Sequence, residues 1–256
     1  MSEMCGVVLA GGWGTRLMPL TTSINKHLLP VYDEPMIFKS ISTLKRMGIK
    51  EVMVVLGGNS GNSFFALLGD GHRFGLEIRY SYQEQAGGIA EALRLTRNFV
   101  GHRDVAVILG DNIFHHSMEP YADEFKMDDE HECYLFLKPV DDPESFGIAW
   151  LDENDNVIRM EEKPKKPDSN LAITGLYIYS PRVYDLIEES LHGTGYSDRG
   201  ELEITAINRL FMERGLVKGL SFDGHWADCG TIDSLLDVSK LMKGWDSGPW
   251  LPQEDD

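Results

Sequence analysis

Two cations stand close together near the start of an acidic chain. Arg16 closes the run Gly11-Gly12-Trp13-Gly14-Thr15-Arg16, and Lys26 sits in Asn25-Lys26-His27-Leu28-Leu29-Pro30-Val31. The 256 residues carry 24 Lys and Arg against 41 Asp and Glu, a formal net charge of −17. A protein with this balance that binds an anion must gather its few cations at the site. Three glycines in four positions leave little side-chain bulk, so backbone N–H groups can converge on an anion. Arg16 adds a planar fork of donors suited to phosphate, and Lys26 adds a point charge. The pattern reads as a cradle for a nucleoside triphosphate. It is not the dinucleotide fingerprint, because the frame opened by Gly12 ends in Leu17, and the Gly-Lys-Ser/Thr of a Walker loop is absent. On these residues alone, a tight turn without ligand is the competing reading.

Three further groups have chemistry to offer. Gln83 ends an alternating segment, and its amide matches the N3–H and O4 edge of thymine or uracil, although a flipped amide would suit cytosine. Asp111 follows an apolar run in Gly110-Asp111-Asn112, a strand end where Mg²⁺ could be held by one or two carboxylates plus phosphate oxygens. A turn-forming Asp-Asn is the plain alternative. Glu162 and Lys163, in Glu161-Glu162-Lys163-Pro164, could take sugar hydroxyls and a phosphate, or simply be solvated. His27, His115 and His116 have no partner at a recognisable spacing and read as structural or surface residues.

Taken together, Gly-Gly-x-Gly-Thr-Arg-Leu, Asn-Lys-His-Leu-Leu-Pro-Val and the later segments in order resemble the sugar-1-phosphate nucleotidyltransferases, from Gly6 to about Lys243. The resemblance is greatest to the thymidylyl-transferring members. It implies dTTP and glucose 1-phosphate as substrates and Mg²⁺ as cofactor. It makes Arg16 and Lys26 the catalytic cations. Nucleotide contacts would come from Leu9, Gly11, Gly12, Gly14, Thr15, Arg16, Gln83, Gly88 and Asp111. Sugar-phosphate contacts would come from Asn112, Gly147, Glu162, Lys163, Ile173, Tyr177 and Arg199. Asp111 and Asp228, far apart in sequence, would share the metal. UTP, CTP or another hexose 1-phosphate stays open as the substrate, as does a silent, nucleotide-binding regulatory subunit; the intact charged set argues against the last. Members of this family also lead us to expect a homo-oligomer, a dimer or tetramer. Trp13, Ala86 and Cys229 depart from the residues expected at their places, a small polar residue, a proline and a threonine.

These residues need a scaffold. The run 6–9 reads as a buried parallel strand. Pro35 and the apolar spacing of 36–47, stopped by Gly48, predict a helix. Strands are predicted at 52–56, 77–83 and 104–109, with a helix at 60–68 between the first two. Such alternation predicts an α/β fold with a doubly wound, mostly parallel, Rossmann-like central sheet, whose ligands bind at the carboxyl ends of the strands. The second half shows strands with short turns at 133–139, 146–151 and 157–161, an antiparallel sugar-binding lobe. Helices follow at 181–190, from Arg199 to about 214, and at 232–242. Glu201 and Glu203 read as first-turn charges of the second of these. A single domain, 1–243, is expected, with a nucleotide-binding half about 1–112 and a sugar-binding half about 113–243.

The remaining segment, 244–256, reads as a flexible acidic tail. It is too short and too rich in Gly and Pro for the helical extension of longer family members, so a second, regulatory nucleotide site is not expected. The acidity argues against nucleic-acid binding. No apolar run approaches the ~20 residues of a membrane span, and no signal peptide is evident, which makes the cytoplasm the default location. Cys5, Cys133 and Cys229 are odd in number and far apart, which predicts reduced thiols.

Overall fold

The computed structural model describes residues 4–58, 60–85, 87–153, 156–191 and 200–244. Ala86, Arg199 and nearly all of the acidic tail lie outside the described residues.

The first strand, β1 (Cys5–Ala10), is buried at every position, as a central parallel strand must be. The short strands β2 (Pro30–Val31) and β3 (Glu34–Pro35) form a two-stranded ribbon that leads into α1 (Met36–Arg46). Pro35 caps that helix from extended backbone rather than opening it. Its apolar face buries Ile37, Phe38, Ile41 and Leu44, and Gly48 takes the left-handed φ of +79° that ends it. Next come β4 (Glu51–Gly57), α2 (Gly61–Leu68), β5 (Glu77–Gln83), the short helices α3 (Ile89–Arg94) and α4 (Arg97–Val100), and β6 (Val105–Leu109). Strands β6, β1, β4 and β5 lie side by side and parallel.

The second half adds β7 (Asn112–His115), α5 (Glu119–Met127), β8 (Cys133–Pro139), β9 (Gly147–Leu151), β10 (Val157–Glu162) and β11 (Leu171–Tyr179). It closes with α6 (Val183–Leu191), α7 (Ile204–Glu213), β12 (Val217–Ser221), β13 (His225–Asp228) and α8 (Ile232–Met242). The antiparallel strands are not a sheet of their own. Among the described residues, nine strands form one mixed sheet with the path β10-β9-β11-β6-β1-β4-β5, and β8 joins β11 to β12.

β11 makes that continuity possible. Its first residues, Leu171 and Ala172, pair with β9, and its last, 176–179, pair with β6. Between them the strand has no continuous neighbour on that edge, and its register with β8 also shifts between Ile173 and Tyr177. The sheet therefore forks around Gly175, opening a crevice at the end of β6. In open α/β sheets ligands bind at such a point, outside the carboxyl ends of the strands.

The helix predicted from Arg199 begins at Ile204, and Glu203 stands before it in extended conformation without a side-chain cap. Backbone pairing wins here: Leu202 N–H donates to Gly87 O (2.8 Å) and its carbonyl accepts from Ala90 N–H (3.2 Å). Glu201 and Glu203 are thus not first-turn charges.

Among the described residues, three buried clusters hold the fold. Two lie on opposite faces of the sheet, one centred on α1 and α2, the other on α6 and α7. The third joins Leu17, Leu29, Val31 and Met36 to Ile113, Cys229, Leu235, Val238 and Met242. The three cysteines are buried free thiols. Burial pushes the Cys5 thiol up to about 11, and Cys133 and Cys229 rise as well.

Candidate active site

The loop after β1 ends in a single 3-10 turn, Thr15–Leu17. Leu17 anchors the turn, fully buried in the third cluster, a burial worth roughly 2 kcal/mol. Gly14 enters it at φ +64°, and a Cβ there would lie 2.9 Å from Thr21 Cγ2 and 3.0 Å from Lys26 Cβ. The Lys26 stem therefore runs directly under the loop. No acceptor among the described residues takes the backbone N–H of Gly12, Trp13, Gly14 or Thr15. Trp13 lays its ring over Gly58 and is 61% exposed, so its departure from the expected residue type leaves the loop backbone open.

Lys26 is held from below. Asn25 Nδ2 donates to Ala10 O (3.2 Å), and Asn25 Oδ1 accepts from His27 N–H (3.0 Å). His27 Nδ1 lies 2.7 Å from the same oxygen, which fixes the proton on Nδ1. His27 is buried, and burial, with Lys26 beside it, pulls its pKa down to about 3; it is neutral and structural.

Lys26 Nζ pairs with Asp111 Oδ2. Burial alone would raise the Asp111 pKa. The Lys26 charge, His27 and hydrogen bonds from Lys26 and Asn112 more than offset this and hold the carboxyl below the usual range. Asp228 arrives by a different route. β13 pairs with β7 so that Asp228 faces Asn112, and Cys229 N–H donates to Asp111 O (2.9 Å). Asp228 is raised to about 6, by burial first and by the charge of Asp111 second. Its Oδ1 is buried with no hydrogen-bond partner among the described residues. Gly230 packs closely beside it, since a Cβ would lie 2.5 Å from Arg16 Nη2 and 2.9 Å from Asp228 Oδ1. Arg16, Asp228, Asp111 and Lys26 thus converge, although their numbers run from 16 to 228.

Below this cluster the fork in the sheet encloses a cavity of about 230 Å³. Asp111, Arg16 and Asp228 stand at it, and so do Asn112, Gly147, Glu162, Lys163, Ile173 and Tyr177. Asn112 ties its walls together: Oδ1 accepts from Gly175 N–H (3.1 Å) and Trp226 Nε1 (2.7 Å), and Nδ2 donates to Asp111 Oδ1 (3.1 Å). Gly175 permits this, because a Cβ would lie 2.6 Å from Asn112 Cγ. Thr205 Oγ1 donates to Glu162 Oε2 (2.8 Å). Lys163 Nζ lies 3.6 Å from Glu162 Oε1, on a backbone at φ +46°. Sequence reasoning missed Trp226, Thr205 and Glu203, which also line the cavity. Trp226 lies two residues before Asp228, so strand alternation places both on one face once the strand is known.

At the other end, the carboxyl ends of β1, β4 and β5 meet. A Cβ on Gly57 would lie 2.7 Å from Gly11 O, and one on Gly11 would lie 3.1 Å from Gln83 Oε1. Gln83 Nε2 donates to Glu91 Oε2 (2.9 Å) and to Gly88 O (3.3 Å). Gly88 takes φ +98°, and a Cβ on it would lie 2.5 Å from Leu202 O, so glycine is required there by Leu202. Leu9 is buried at the end of β1.

A cation-bearing glycine loop, a carboxylate pair and a polar cavity at the switch point of a parallel sheet define a phosphate-handling α/β enzyme. Comparison with known proteins agrees. The family model for nucleotidyl transferases matches residues 5–243, and the chain belongs to the nucleotidyl transferase family. Glucose-1-phosphate thymidylyltransferase of Neisseria gonorrhoeae is 38% identical over 242 residues, covering 94% of this chain and 83% of that protein. The same-named enzyme of Mycolicibacterium smegmatis is 39% identical over 244 residues, covering 94% and 82%. A Bacillus anthracis crystal structure, assigned as a glucose-1-phosphate thymidylyltransferase and complexed with sucrose, superposes with a TM-score of 0.90 at 42% identity, covering 97% of this chain and 98% of that one. Among the described residues no helix is long and apolar enough to cross a membrane.

Proposed function

We propose that this chain transfers the thymidylyl group of dTTP to glucose 1-phosphate, giving dTDP-glucose and pyrophosphate. The observation that carries the reading is the convergence of Arg16, Lys26, Asp111 and Asp228 between an open glycine loop and a polar cavity. The relatives named above support the substrate pair.

A phosphate oxygen of the sugar attacks the α-phosphorus in line. The bond from that phosphorus to the bridging oxygen breaks, and pyrophosphate leaves with the electron pair. The nucleophile is already ionised, so no general base is needed, and the neutral, buried His27 takes no part. The residues contribute positioning and charge. The free N–H groups of 12–15 hold the departing phosphates, Arg16 and Lys26 neutralise them, and Glu162, Lys163 and Tyr177 seat the sugar phosphate. Arg199, outside the described residues, is a further candidate for that phosphate.

The carboxylate pair fits a divalent metal. The buried Asp228 Oδ1, without a partner among the described residues, and the burial and neighbouring Asp111 charge that raise Asp228 are what a cation would relieve. Asp111 and Asp228 would hold Mg²⁺, which supplies charge neutralisation to the phosphate oxygens.

The test is pyrophosphate release measured over dTTP, UTP, CTP, ATP and GTP with several hexose 1-phosphates. Fastest turnover with dTTP and glucose 1-phosphate is expected. Release with none of these pairs would overturn the reading.

A further inference from the structure

Gln83 carries both a donor and an acceptor, so its residue type does not say which base it reads. Its surroundings do. The two groups on its amide nitrogen side are the Glu91 carboxylate at 2.9 Å and the Gly88 carbonyl at 3.3 Å. Both only accept hydrogen bonds. Turning the amide over would put Oε1 against two oxygens and forfeit both bonds.

Gly87 makes room for Glu91. This glutamate lies in the first turn of α3, and its carboxylate occupies the space that a side chain at residue 87 would fill, which Gly87 leaves empty. On the other side of the amide, Oε1 points over Gly11, and nothing among the described residues donates to it. Gln83 therefore offers one thing at the carboxyl end of the sheet, a fixed acceptor.

We propose that Glu91 is a positioning residue that locks the Gln83 amide with its oxygen toward the nucleobase, so that the site selects a base with a ring N–H there, thymine or uracil, and rejects cytosine. This rests on the nucleotidyl-transfer reading above. Thymine and uracil present N3–H to the acceptor, whereas cytosine in the same pose presents a lone pair. The selection comes from the Glu91 carboxylate as much as from the glutamine, since without Glu91 only the longer contact to Gly88 favours one orientation. The 5-methyl group takes no part, so Glu91 does not separate dTTP from dUTP.

The experiment compares kcat/KM for dTTP and dCTP, which share one sugar, in the full chain with glucose 1-phosphate. Glu91→Leu should lower the dTTP preference about tenfold, the effect of freeing one amide hydrogen bond. Glu91→Gln, which keeps an acceptor oxygen, should retain most of it. In a Gln83→Leu background, Glu91→Leu should leave the ratio unchanged, a coupling that general loosening of α3 would not produce. Glu91→Ala is carried in parallel, so a misfolded leucine variant does not end the comparison. An unchanged ratio in folded Glu91→Leu or Glu91→Ala would overturn the proposal, as would an equal shift with and without Gln83. A wild type that turns over dTTP no better than dCTP removes the inference, and one that turns over neither removes the functional reading with it.

Discussion

The two sides of the site are built on opposite plans. The glycine loop leaves four consecutive N–H groups without an acceptor among the described residues, and its shape comes from what lies around it: the Lys26 stem, Leu17 in its cluster and Gly230 beside Arg16. The cavity wall is already wired. Asn112 bonds to Gly175, Trp226 and Asp111, and Glu162 bonds to Thr205. A cradle whose donors are unspent gains its bonds from the ligand, while a pocket with internal bonds is preorganised and gains by fit. Damage to the first should fall on turnover, and damage to the second on sugar affinity.

Lys26→Ala gives the largest expected effect. It removes a preorganised charge from the cradle and should cost on the order of 10²–10³ in kcat. Stopped-flow or steady-state pyrophosphate release checks it; a folded variant within a few fold of wild type would break the comparison at its root.

The two aspartates sharpen it. Each change to Asn should abolish most metal-dependent turnover, but stability should move in opposite directions. Asp111→Asn strands Lys26 and should cost about 3 kcal/mol, as expected when one partner of a buried ion pair is lost. Asp228→Asn removes a carboxylate whose charging opposes the fold, so the metal-free protein should gain about 1 kcal/mol at neutral pH. Denaturant melts of both variants in a chelator decide this, and two losses of similar size would refute it.

The same asymmetry predicts a pH dependence. Asp228 has a raised pKa, so its protonation favours the native state, and metal-free stability falls as pH rises through about 6. Asp111 has a lowered pKa; its contribution is present above the ordinary carboxylate range and is lost as pH falls toward its own value. Added Mg²⁺ should therefore raise Tm more at pH 7.5 than at pH 5, read by differential scanning fluorimetry. Equal shifts at both pH values would argue against a cation on Asp228.

On the wired side, Thr205→Val should raise KM for glucose 1-phosphate several fold with little change in kcat, since Glu162 loses one of its supports, a bond worth about 1 kcal/mol. A fall in kcat at constant KM would place Thr205 with the cradle instead.

The parallel core was legible in the sequence because its signals are local. The limits of β5, β8 and α8 were predicted to the residue, and those of β1 and β4 within one or two. The loop and Lys26 were legible because glycines and a cation stand out in an acidic chain. The start of α7 was not, because Leu202 is claimed by Gly87 and Ala90 across the chain. The β7–β13 ribbon was not, because four residues leave little periodicity and their partners lie more than a hundred positions away. Glu203 and Thr205 looked like ordinary helix-start residues, and only the fork at Gly175 turns that helix end into a wall.

The third cluster binds the glycine loop to α8, since Leu17 shares it with Leu235, Val238 and Met242. During synthesis the amino-terminal strands are made first and can begin to fold while the rest is still being added. Leu17 then has only part of its packing, and Asp228 does not yet exist. The nascent chain can therefore own both large cores and still be inert. The docking of α8 is therefore the step that gives the glycine loop its floor.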